Sequence, residues 1–150
     1  MVDDDEACPA VRVGGEGSRG VELRFHGLTR SFPSERDDPM RDFLVTAQGQ
    51  WVRVEVMVRT WGGDGLHDFL AEPADGSRGW AGARTWRSLE RDLTLSAEHT
   101  GSRVRLTWGL HDRLPDDEWH FEATTDHAPG EDMRNLAMEL RAFLEAEPPA

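Results

Sequence analysis

Apolar and polar residues alternate along most of this chain, and a period of two is the mark of a half-buried β-strand. The longest alternating run is Trp51-Val-Arg-Val-Glu-Val-Met-Val-Arg-Thr-Trp61. Its four Val share one face, while Trp51, Arg53, Glu55, Met57, Arg59 and Trp61 share the other. Val21–Phe25 and Asp42–Ala47 predict two earlier strands. Trp80–Leu89, Leu93–His99, Val104–Leu110 and Trp119–Thr125 predict the rest, with Trp80, Trp86, Trp108 and Trp119 assigned to the core.

Thr100-Gly101 predicts a tight turn between two of these runs. If their apolar sets share a face, Ala97 lies opposite Val104, Leu95 opposite Leu106 and Leu93 opposite Trp108. The polar face then pairs Glu98 with Arg103 and Thr94 with Thr107. A slip of one residue would put every Leu in water.

Elsewhere the spacing changes to that of a helix. Leu66, Phe69 and Leu70 predict a short one, with Asp64 as its N-cap and Pro73 as its stop. Met133, Leu136, Ala137, Leu140, Phe143 and Leu144 predict a longer one at the C-terminus. Pro129, Glu131 and Asp132 suit its start, because acids in the first turn complement the helix dipole. Each helix shows a single apolar stripe. The expected fold is therefore α+β and two-layered: an antiparallel sheet of six to seven strands, with the short middle helix and the long C-terminal helix on one face. The other sheet face is left partly open to water. One domain is expected over residues 21–147, behind a flexible segment 1–20 in which Val11-Arg-Val13 is a candidate edge strand.

Composition agrees with a globular chain. Hydrophobic residues make up 37% of 150, and six Trp offset a modest aliphatic content. All 17 basic residues are Arg, and Lys, Ile and Tyr are absent, which reads as the codon bias of a GC-rich genome. A net charge of −12 argues against nucleic acid, whose binders need a cationic face to displace counterions. The one cysteine, Cys8, excludes a disulfide framework and a Cys-based zinc site, and fits a reducing cytoplasm. No run of about 18 apolar residues suggests a membrane span. The acidic opening Met-Val-Asp-Asp-Asp-Glu is no signal peptide.

Candidate chemistry is sparse. Gly15-Glu-Gly17-Ser-Arg-Gly20 fits a dinucleotide-binding pattern, but a strand follows it where that motif needs a helix, so a linker is the simpler reading. His111, His120 and Glu122 form a conceivable metal set, weighed against ordinary surface histidines, and the ligand spacing matches no established site. His120-Phe-Glu122 has the His-x-Glu half of a zinc deaminase without the Pro-Cys-x-x-Cys half. No nucleophile elbow, metalloprotease helix or phosphate loop is present, and no cofactor is expected. The stronger signal is the face of Trp51, Arg53, Met57, Arg59 and Trp61, residue types enriched in binding hot spots. The alternative is a central strand covered on both faces.

Gly63-Asp64-Gly65-Leu66…Phe69-Leu70 and Gly79-Trp80-Ala-Gly82-Ala-Arg84-Thr-Trp86-Arg-Ser88 resemble an uncharacterised actinobacterial family, domain of unknown function 6228. The Leu-x-Leu-x-Ala and Val-x-Leu-x-Trp strands and the Leu-rich last helix extend the resemblance over roughly residues 21–145. Where similar chains continue the first helix, this one has Pro73. The resemblance implies no activity and no functional residue. The general build also resembles small immunity proteins of bacterial toxin systems. The expected function is a non-catalytic cytoplasmic protein-binding module, immunity- or antitoxin-like, that is a monomer or weak homodimer and binds no nucleic acid or membrane. The alternative is a small enzyme or ligand-binding protein with a cleft near the Trp61–Leu66 turn and the Trp80–Trp86 segment.

Overall fold

A computed structural model describes residues 9–15, 20–29, 39–75, 82–113 and 115–146, with only the backbone of 72–75. In chain order the elements are β1 (Val11–Gly14), β2 (Glu22–Thr29), β3 (Met40–Gln48), β4 (Arg53–Trp61), α1 (Leu66–Asp75), β5 (Ala83–Arg87), β6 (Leu93–Thr100), β7 (Arg103–His111), β8 (His120–His127) and α2 (Glu131–Glu145). The class is α+β with antiparallel pairing, but there are two sheets where a single sheet of six to seven strands was expected. Sheet A runs β1-β2-β3-β4 and sheet B runs β5-β6-β7-β8. Alternation tells which side of a strand is buried; it does not tell whether a helix or another sheet lies there. Here large rings fill the space between: Phe25 of sheet A meets Trp108 of sheet B edge-on, with centroids 5.7 Å apart.

The candidate edge strand at Val11-Arg-Val13 is formed, at the edge of sheet A. β1 pairs with β2, and Val11 and Val13 are buried in the core. The C-terminal helix buries the six residues its spacing picks out: Met133, Leu136, Ala137, Leu140, Phe143 and Leu144. Phe143 packs edge-on against Phe25 and Phe43 of sheet A, at 6.5 and 5.6 Å. Leu66 and Leu70 of α1 join the same core cluster. α1 runs on to Asp75, past the stop expected at Pro73. A proline removes one i→i−4 bond, and in a last turn that loss does not unwind the preceding residues. Among the described residues, no helix is long and apolar enough to cross a membrane.

The β6–β7 hairpin has the expected faces in a different register. Leu93 pairs with Leu110, Leu95 with Trp108 and Ala97 with Leu106, while Glu98 faces Arg105 and Thr94 faces Gly109. This is two residues from the expected pairing, so every side chain keeps its side. The turn decides the matter. Thr100 pairs with Arg103, and Gly101 sits first in the two-residue loop with φ +59°. A glycine with positive φ at that position gives the hairpin the right twist.

Two further expectations are corrected. Trp119 is exposed, because it precedes the first β7–β8 pair, His111 with His120, and hangs beyond the covered part of sheet B. Trp86 is only half-buried, since β5 is the edge strand of its sheet. Trp108 is fully buried, and Trp80 lies outside the described residues.

Candidate functional site

β4 is an edge strand, and its alternation survives intact in three dimensions. Val56 and Val58 enter the core, and Arg53, Glu55, Met57, Arg59 and Trp61 stand in solvent. Trp61 is 60% exposed, Met57 44%, and Trp51, in the turn before the strand, 89%. Across β3 the outer face pairs Arg53 with Gln48, Glu55 with Thr46, Met57 with Leu44, Arg59 with Asp42 and Trp61 with Met40. An apolar band of Met57 and Leu44 thus lies between two polar clusters.

One cluster is an arginine fork. Arg59 Nε and Nη2 each donate to the Asp42 carboxylate at 3.3 Å, over an aspartate that is itself buried. The other is a chain: Thr46 Oγ1 donates to Glu55 Oε2 at 2.7 Å and sits 2.8 Å from His26 Nε2. Because the single threonine proton goes to Glu55, the His26 ring must donate through Nε2–H. Burial, helped by Arg24, pulls His26 below its ordinary pKa, so the neutral ring is favoured. Arg53 reaches Glu55 at 3.7 Å.

Trp61 stands on a fixed support. Asp64 has a left-handed backbone, φ +52°. It is not the N-cap of α1. Its Oδ1 accepts from the Trp61 amide at 3.1 Å, and its Oδ2 accepts from the Leu89 amide at 2.7 Å. Trp86 Nε1 donates to the Asp64 carbonyl at 2.8 Å. The glycines around Asp64 let the chain double back, which turns its carboxylate toward the end of β4 and the turn after β5, away from the helix. The Trp61–Leu66 turn and Trp86 are thus tied together by direct hydrogen bonds.

On the open side of β4, Asp92, a residue 2% exposed, lies close to the Arg59 backbone, whose amide favours its charged form. Burial pushes Asp92 up to about 6, against the pull of the Arg113 guanidinium. Its Oδ2 has no hydrogen-bond partner among the described residues. Sequence reading missed Asp92, since nothing in Arg91-Asp92-Leu93 marks a carboxylate turned inward.

His111, His120 and Glu122 lie on sheet B, away from this face. The two imidazoles stack at 5.6 Å, and His111 Nε2 is 2.8 Å from Thr94 Oγ1. Burial and the neighbouring His120 lower the His111 pKa. Glu122 pairs with Gly109. Among the described residues no group of three His, Cys, Asp or Glu is placed to hold a metal ion. A cavity of about 380 Å³ opens on the outer face of sheet B, between Arg87 and Glu122 over a floor that includes Thr94, Ser96 and Thr107. Most of the Gly15–Gly20 pattern, and Cys8, lie outside the described residues.

No curated protein and no solved structure matches the chain. A protein-family comparison matches a family of unknown function, DUF6228, over residues 14–147, and the chain belongs to that family.

Proposed function

We propose that this chain is a small non-catalytic module that binds another protein on the outer face of sheet A. The observation that carries the reading is the exposure of Trp51, Met57 and Trp61 beside Arg53 and Arg59. Exposed aromatic, Met and Arg side chains on one face are the composition of binding hot spots. The Asp64 bonds hold the Trp61 backbone before any partner arrives, which lowers the entropy cost of docking. An immunity- or antitoxin-like role in a reducing cytoplasm, where Cys8 stays a thiol, suits such a module.

The test is quantitative recovery from native lysate with wild-type chain and with W61A and M57A. A protein retained by wild type and lost by both variants, at unchanged melting temperature, supports the reading. Identical recovery by all three chains sinks it. A second reading, a small polar ligand on sheet B, is favoured by the 380 Å³ cavity between Arg87 and Glu122, within the usual size range of ligand sites. A melting-temperature screen against metabolites and metals tests it, and no shift with any of them removes its support.

A further inference from the structure

The outer face of sheet A carries its charges in an order that complements itself, and this points to the occupant. Along β4 the exposed side chains read Arg53, Glu55, Met57, Arg59, Trp61. Lay a second β4 over the first, antiparallel, with Met57 above the partner's Met57. Glu55 then faces the partner's Arg59, and Arg53 faces the partner's Trp61. Opposite charges meet, and a guanidinium lies over an indole ring. Leu44, the neighbour of Met57 on β3, extends the apolar centre.

We propose that two copies of this chain dock sheet A on sheet A about a two-fold axis passing between their Met57 side chains. The inference rests on the reading of this face as a protein-docking surface, and names its occupant as a second copy. A contact of this symmetry is self-complementary by construction. Moving the axis to Val56 sets Arg53 over the partner's Arg59, a like-charge contact, so the chemistry selects Met57.

Three further observations favour this occupant. The face is close to electrically balanced, with Arg12, Arg24, Arg53 and Arg59 against Glu22, Glu55 and Asp42, on a chain whose net charge is −12. The acid excess therefore lies elsewhere, and this is where two such chains can approach. A strongly basic partner would find no steering here. Buried Asp92 lies beside the Arg59 backbone on the open side of β4, so the strand offers its face in preference to its edge. Size sets the strength. Three strands of about nine residues span roughly 30 by 14 Å, or about 400 Å² of flat footprint per copy. Stable interfaces need about 800 Å² per partner, so the dimer is weak and concentration-dependent.

The test uses the full chain with Cys8→Ser and one new thiol, M57C or E55C. Face-packed sheets lie about 10 Å apart, too far for a direct disulfide, so a thiol-to-thiol cross-linker of about that span is required. M57C should link at least tenfold faster than E55C, because residue 55 is offset from its own copy by four residues. M57D should raise the dimer Kd at least tenfold in sedimentation equilibrium, with an unchanged melting temperature. Equal linking rates for M57C and E55C place the axis elsewhere and overturn the proposal. A chain that stays monomeric up to roughly 1 mM also overturns it. In that case, a different protein whose recovery is lost in W61A leaves the docking reading standing alone. If no protein's recovery changes either, both fail.

Discussion

The effect of replacing Asp92 with Asn should shift with pH in favour of the variant, in a way that only a buried, proton-holding carboxyl explains. Asp92 is 2% exposed, and its pKa stands at about 6 against an ordinary 3.8. The folded state holds this proton more tightly than the unfolded chain does. Below pH 3.8 the resulting stabilisation is fully present; it is lost as pH rises toward 6 and does not return above it. A displacement from 3.8 to about 6 corresponds to on the order of 3 kcal/mol in all, of which about 2 kcal/mol falls between pH 4 and pH 7. D92N cannot titrate. Any fixed cost of the new NH₂ group is the same at every pH. The stability of D92N minus that of wild type should therefore climb by about 2 kcal/mol from pH 4 to pH 7, a relative gain of roughly 4–8 °C in melting temperature. The assay is urea unfolding of both proteins at pH 4, 5, 6 and 7. Taking the difference cancels the other carboxylates. A difference that stays flat within about 0.5 kcal/mol, or that falls with pH, refutes the claim that Asp92 is buried in its charged form at a cost.

Thr125→Val should cost about 1–3 kcal/mol in denaturant unfolding, because buried Trp108 Nε1 donates to Thr125 Oγ1 at 2.9 Å and would be left without an acceptor. Gly109→Ala should cost about 1–3 kcal/mol, since its Cβ would strike Thr94 Oγ1 and lie 2.7 Å from His111 Nε2; T94A should recover part of that loss in a double-mutant cycle. Trp51→Ala should change stability by less than about 0.5 kcal/mol, whereas Trp108→Ala should cost about 3–5 kcal/mol. Thermal melts of the two tryptophan variants separate a docking side chain from a core one.

What could be read from the chain divides along a physical line. Periodicity reports which side of an element is dry. That is why the six residues of the apolar stripe of α2, and every position of β4, take their expected sides. Periodicity is blind to whatever preserves those sides. A hairpin register displaced by two residues keeps every Leu inside, so only the Gly101 backbone could choose between them. A strand facing a second sheet alternates just as one facing a helix does, so Phe25 against Trp108 was invisible until the strands were paired. Register governs the candidate site most of all. The Arg59–Asp42 fork and the His26–Thr46–Glu55 chain join residues on different strands, and their partners follow only once β3 is aligned with β4 and β2. Asp64 and Asp92 depend on less still: a left-handed residue and an inward-turned loop, neither of which leaves a period. Trp61 was legible because it sits on a strand's face. The carboxylates that hold that strand in place were not, because they act from loops.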